Sequence, residues 1–235
     1  ELSAWIIQQD DDLLVLSKPG LVVCHPSKHG PWSSLIGACR EFLGADVLHM
    51  PSRLDRETSG VVVFARTREM GSRLQKAVQL RQVRKSYVAI LEGTLREAVC
   101  VDQPIGRAQE SRVFLRQGVR ADGQTAKTFF EPLEWRGGYT LARVRTETGR
   151  LHQIRVHAAW LGHAVAADKL YGPDEGLFLE FIEKGFNARL QAALPMERQA
   201  LHAAEMLFDL DDGQLEFRAP LAADMAEFWQ RLGCS

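Results

Sequence analysis

Cysteine is scarce: four residues, Cys24, Cys39, Cys100 and Cys234, are scattered through 235 with no paired spacing. Such a pattern argues against a disulfide framework and reads as reduced thiols of a cytoplasmic protein. Long apolar runs are missing as well. The longest fall far short of the roughly 20 residues a membrane span needs, so no membrane association is expected. No secretory signal, internal repeat, low-complexity tract or clear linker is visible. An overall charge of one sign is also absent, the formal net charge being −1. What remains is an ordinary globular composition, 46% hydrophobic and 25% charged, long enough for a large core.

The small net charge conceals an asymmetry. From Arg53 to Lys85 there are nine Lys and Arg against three Asp and Glu; from Asp174 to the end there are five against twelve. A basic belt suits a polyanion, with the acidic C-terminal third facing away from it; a solvated helix face is the other reading.

Within the belt lies Ser52-Arg53-Leu54-Asp55-Arg56-Glu57-Thr58-Ser59-Gly60, followed by Val61-Val62-Val63-Phe64-Ala65. The apolar run reads as a buried strand that holds the polar loop before it. Asp55 between Arg53 and Arg56 is a candidate nucleophile or base. Taken alone, it reads first as a loop salt bridge.

In chain order, Trp5 to Gln8, Leu13 to Ser17 and Leu21 to Val23 read as short strands. Cys24, His25 and His29 fit no zinc spacing, so no metal is assigned. Ser33-Ser34 opens a helix through Phe42, and a second helix spans about Arg68 to Arg81 with Leu74, Ala77, Val78 and Arg81 at helical spacing. Val83 to Leu91 is a strand that places Lys85, Tyr87 and Ala89 on one face. Tyr87 there is either core packing or a base-stacking platform. Lys127 to Leu133 and Tyr139 to Arg145 form a hairpin about Gly137-Gly138. If Thr148 caps a helix, Leu151, Ile154, Ala158 and Leu161 make its apolar stripe, ended at Gly162. Arg155 then sits at the stripe's edge, where burial requires a carboxylate partner. A helix from Gly176 to about Ala193, strands Leu201–Leu210 and Gln214–Arg218, and a closing helix Ala222–Leu232 complete the reading. The assembly expected is α+β, a mixed, largely antiparallel sheet with flanking helices.

Four motifs now carry a resemblance. Arg53-Leu54-Asp55-Arg56-Glu57-Thr58-Ser59-Gly60 resembles the signature of the RluA-type pseudouridine synthases. Lys85-Ser86-Tyr87 resembles the family's Lys-x-Tyr. Gly149-Arg150-Leu151-His152-Gln153-Ile154-Arg155-Val156-His157, with the trailing Leu161-Gly162-His163 and Asp168 through Gly172, resembles its Gly-Arg-x-His-Gln-Ile-Arg-x-His stretch. Leu201-His202-Ala203 resembles its Leu-His-Ala. All four arrive in the family's order.

The resemblance implies the pseudouridine synthase fold with a central cleft, residues 1–235 forming one catalytic domain without an S4-like N-terminal domain in this chain. It implies isomerisation of uridine to pseudouridine in ribosomal or transfer RNA, with no cofactor or metal, by a monomer. Asp55 maps onto the catalytic aspartate, Arg155 onto the arginine that pairs with it, and Tyr87 onto the tyrosine that stacks on the target base. Arg53 maps onto the residue filling the gap left by the flipped nucleotide. Arg56, Lys85, Arg150 and His152 are expected to contact RNA. Two departures stand out. Ser52 occupies a position that is usually His, and His163-Ala164-Val165-Ala166-Ala167-Asp168 loses a Pro and a Gly. The competing reading is an RNA-binding or chaperone protein on the same scaffold with little catalysis.

Overall fold

The computed structural model describes residues 2–25 and 34–233, so His29, Ser33 and Cys234 lie outside the described residues. It divides into two compact units, Glu1–Ser86 with His202–Ala222, and Tyr87–Leu201 with Ala223–Ser235.

In the first unit a 3-10 turn at Leu2–Trp5 precedes β1 (Ile6–Gln9) and β2 (Leu13–Lys18). Then come α1 (Leu35–Leu43), β3 (Ser59–Ala65) and α2 (Arg68–Gln79). β4 (Val83–Glu92) starts here and runs on into the second unit. β10 (Leu201–Leu210) and β11 (Gly213–Arg218) return to close the first unit's sheet. β3 is antiparallel to β2 and parallel to β10, which in turn is antiparallel to β11. All seven residues of β3 are buried, as an unbroken run of β-formers requires. Its Val61, Val63 and Ala65 meet Leu74 and Ala77 of α2 and Met206 and Phe208 of β10. At about 1.5–3 kcal/mol for each large apolar side chain, this cluster anchors the unit.

Several expectations shift. Leu21 to Val23 is not a strand: Leu21 has φ 66°, and the Val22 and Val23 carbonyls accept from Lys18 Nζ and Leu35 N. With those carbonyls taken by a side chain and a helix start, no ladder forms. α2 stops at Gln79 because Arg81 turns left-handed, φ 59°, and leaves the stripe. The acidic segment does not all face away from the belt: Asp212 pairs with Arg73 and Asp211 with Lys76 at 3.4 Å.

The second unit carries the rest of β4 with β5 (Val99–Asp102), β8 (Lys127–Arg136) and β9 (Tyr139–Thr146), in the order β4-β9-β8-β5. β6 (Ile105–Arg107) and β7 (Gln117–Val119) form a separate hairpin. The β8–β9 turn is Gly137-Gly138 with φ 52° and 82°, the double positive φ of a type I′ turn. Its helices are α3 (Gln153–Trp160), α4 (Gly176–Lys184), α5 (Ala188–Ala193) and α6 (Ala223–Arg231). The single helix expected over 176–193 is two, because Gly185 takes φ 69° and Asn187 caps a new start at Leu190 N. Among the described residues no helix is long and apolar enough to cross a membrane.

Candidate active site

The Asp55 loop is built from below by β3. Gly60 has φ +113°, and a Cβ there would lie 2.1 Å from Ala203 O, so only glycine fits. Beside it Ser59 Oγ meets His202 Nδ1 at 2.9 Å, and His202 Nε2 faces Ala219 O at 3.4 Å. The carbonyl only accepts, so Nε2 carries the proton and Ser59 donates to Nδ1. Ser59-Gly60 and Leu201-His202-Ala203 are thus two halves of one packing contact, His202↔Ser59 and Ala203↔Gly60.

The loop itself is held by two lysines. Lys18, buried, donates from Nζ to Pro19 O (2.9 Å), Val22 O (3.0 Å) and Arg56 O (3.2 Å). Lys85 Nζ donates to Ser52 Oγ at 3.0 Å, and burial pushes the Lys85 ammonium down to about 8. Arg56 Nε reaches Leu21 O at 3.4 Å, and Thr58 N closes a turn onto Asp55 O. Leu54 is buried, Asp55 half-buried, and Arg53 and Arg56 exposed. Lys18 went unnoticed in the sequence because Lys-Pro-Gly reads only as a turn.

In the second unit, α3 starts later than the sequence suggests. Thr148 caps no helix; His152 is the N-cap, in the left-handed region at φ 56°, and Leu151 is exposed. Thr148 Oγ1 instead accepts from Lys127 N and donates to Gln153 Oε1, which also accepts from Arg150 N. Gln153 Nε2 donates to Lys127 O and Thr128 Oγ1. Thr128 faces His157 Nδ1 at 2.8 Å, and His157 Nε2 faces Gln103 O at 2.9 Å. Because that carbonyl is acceptor-only, the proton order runs Gln153 to Thr128 to His157 to Gln103. Desolvation lowers the His157 pKa, in keeping with a neutral ring. His157 is a satisfied core histidine.

This scaffold fixes Arg155. Its Nε and Nη2 donate to Asp168 Oδ2 and Oδ1 at 2.6 and 2.9 Å, and both residues are buried. Burial opposes ionisation of Asp168. The Arg155 charge and bonds, with Tyr171 N and Leu170 N, outweigh it and hold the carboxyl below its usual range. The carboxylate partner that burial demands is present, and Asp168 is the residue whose role the sequence did not disclose. His152 Nδ1 lies 2.8 Å from Tyr171 OH, and Arg150 Nε donates to Thr125 O. Tyr87 is half-buried on β4.

Asp55, Arg53, Arg56 and Lys85 therefore belong to the first unit, and Tyr87, Arg150, His152 and Arg155 to the second. Among the described residues no group of three or more His, Cys, Asp or Glu side chains could hold a metal ion.

The profile of the family described as RNA pseudouridylate synthase matches residues 12–160. Ribosomal large subunit pseudouridine synthase D of Vibrio cholerae is 35% identical over 237 residues, covering 97% of this chain and 70% of that one. The synthase D of Yersinia pestis is 32% identical over 240 residues, with the same coverage. The chain belongs to the RNA pseudouridylate synthase family. Solved structures agree in fold: human RNA Pseudouridylate Synthase Domain Containing 4 superposes with TM-score 0.75 at 24% identity, over 98% of this chain and 94% of that one. Human RNA Pseudouridylate Synthase Domain Containing 1 gives 0.73 at 22%, over 96% and 93%. As a pseudouridylate synthase of the RluA type, the protein is an isomerase that converts uridine in RNA to pseudouridine.

The departures from the family pattern now have addresses. Ser52 is the acceptor for Lys85. Ala167, where the family has Gly, takes φ 59°, the conformation glycine would adopt freely. Nothing in the structure explains Ala164.

Proposed function

We propose that this synthase modifies uridine in large-subunit ribosomal RNA, with Asp55 as the group that opens the glycosidic bond. The observation that carries the substrate is the 35% identity to the Vibrio cholerae large-subunit enzyme across 97% of the chain. Chemistry sets the requirements. The N1–C1′ bond breaks, the uracil turns over, C5 bonds to C1′, and the proton on C5 is replaced by one on N1. Attack on C1′ and abstraction of the 2′ proton both use the Asp55 carboxylate. A stacked uridine exposes neither position, so the nucleotide is flipped out, with Arg53 taking its place. Tyr87 stacks on the displaced base and assists loss of the C5 proton. Arg155 serves the same centre as the cation for the aspartate, and its bidentate hold by Asp168 supports a fixed, preorganised role. Arg56, Lys85, Arg150 and His152 contact the RNA.

The test is a pseudouridine map of ribosomal RNA from a strain lacking the gene and from its parent. One or more large-subunit positions are expected to revert to uridine and to return when the gene is restored. Loss confined to transfer RNA would reject this substrate.

A further inference from the structure

From Arg107 to Arg120 the sequence carries Arg107, Arg112, Arg116 and Arg120 against the single acid Glu110. The fold concentrates them on the β6–β7 hairpin. One side of that hairpin and α3 enclose an open groove of about 630 Å³, within the size range of small-ligand sites. Its lining is mostly polar, with Gln109, Gln117, Arg116 and Arg120 beside one acid, Glu110, and it includes the aromatic rings of Trp160 and Tyr171.

Three features suit an occupant, Trp160 lining the groove and Phe114 and Arg107 lying on the same hairpin outside that lining. Trp160 is 52% exposed and Phe114 68%, large aromatic surfaces open to a ligand. The Arg107 guanidinium lies 4.0 Å over the Phe114 ring and makes no ion pair among the described residues. Around the groove Arg107, Arg112, Arg116 and Arg120 stand against Glu110, Glu175 and Asp122, a small positive excess. Arg112 and Arg116 share the single carboxylate of Glu175, at 3.6 and 2.9 Å, while Arg120 is balanced by Asp122. Exposed aromatics interleaved with arginines bind single-stranded nucleic acid, the ring stacking on a base and the cations drawing the phosphates. RNA is the ligand at hand for a chain of an RNA-modifying family. The lining also reaches the proposed site: Tyr171 OH accepts from Gln117 N, lies 2.8 Å from His152 Nδ1, and its ring stands 4.9 Å from the Arg155 guanidinium.

We propose that the groove between β7 and α3 binds an unpaired nucleotide of the RNA other than the reacting uridine, its base stacked on Trp160 and its phosphate drawn by Arg107 and Arg116. The inference rests on RNA being the substrate, and not on which RNA.

The probe is a short fluorescein-labelled single-stranded oligouridylate carrying 4-thiouridine, titrated into the full chain and then photocrosslinked. Trp160→Ala is expected to weaken binding about tenfold, the loss of one base–aromatic stack, with Trp160→Phe retaining most of it. Crosslinks should fall on peptides containing Trp160 or residues 107–120. Arg107→Gln, at an exposed position, should lower the salt dependence of binding by about one counterion. With the RNA on which the wild type is active, the Trp160→Ala loss should appear in KM more than in kcat. Binding by Trp160→Ala within twofold of wild type, or crosslinks only elsewhere, overturns the proposal. A wild type that binds oligouridylate through Trp160 yet modifies no ribosomal RNA would instead reject the assigned substrate and leave the groove standing.

Discussion

Arg155 and Lys85 show how single residues are set by their surroundings. The Arg155–Asp168 pair is buried and bidentate, and removing one partner leaves an uncompensated charge in the interior. Asp168→Asn should therefore cost about 3–5 kcal/mol in urea unfolding. The pair's contribution is present above the ordinary carboxylate range and is lost as pH falls through the depressed native value. Lys85 behaves in the opposite way. Its ammonium is pushed by burial to about 8, while the unfolded chain keeps the ordinary value of 10.5. Between those values the unfolded state holds a proton that the native state has shed, so stability attributable to Lys85 rises with pH from about 8 to about 10.5. Compared across that window by thermal unfolding, Lys85→Met should lack this rise; an unchanged difference between variant and wild type from pH 7 to 10 would refute the assignment. The identity of Arg155 as a buried cation was legible from its place beside Ile154. Its partner was not, because the two stand thirteen positions apart, across the rest of α3 and the turns after it, and only the fold brings Asp168 back.

At the scale of elements, periodicity was a good guide where a face packs and a poor one where side chains replace backbone partners. β3, β4, the Gly137-Gly138 hairpin, α2 and α6 follow directly from apolar spacing and turn residues. The start of α3 does not. Gln153 supplies the carbonyl and amide that hold the entry turn, so Thr148 is used by the start of β8 and Leu151 is left outside. The break at Gly185 and the segment at 21–23 each contain a left-handed residue that overrides propensity; the Lys18 side chain then donates to the Val22 carbonyl, and the Asn187 side chain accepts from Leu190 N. The turn before Asp168 offers a direct check. Ala167 occupies φ 59° with its methyl buried, so Ala167→Gly should stabilise the protein by about 0.5–1 kcal/mol despite the greater freedom glycine gives the unfolded chain. A lower melting temperature for Ala167→Gly would show that the buried methyl matters more than the backbone strain.

For the whole molecule, the motifs carry more than the composition does. The net charge of −1 gives no hint of a nucleic-acid enzyme, and the basic belt is partly neutralised by Asp211 and Asp212. Much of what makes the motifs recognisable is structural: Ser59, Gly60 and His202 join two strands, and Gln153 and His157 brace α3. The proposed chemistry is assigned to Asp55, Tyr87 and Arg155, and Asp55 is the residue on which it turns. The direct test is tritium release from large-subunit ribosomal RNA labelled at C5 of uridine. Wild-type protein should release tritium with turnover, and Asp55→Asn, folded and still binding RNA, should release none above background. Release by Asp55→Asn at the wild-type rate would contradict the central claim.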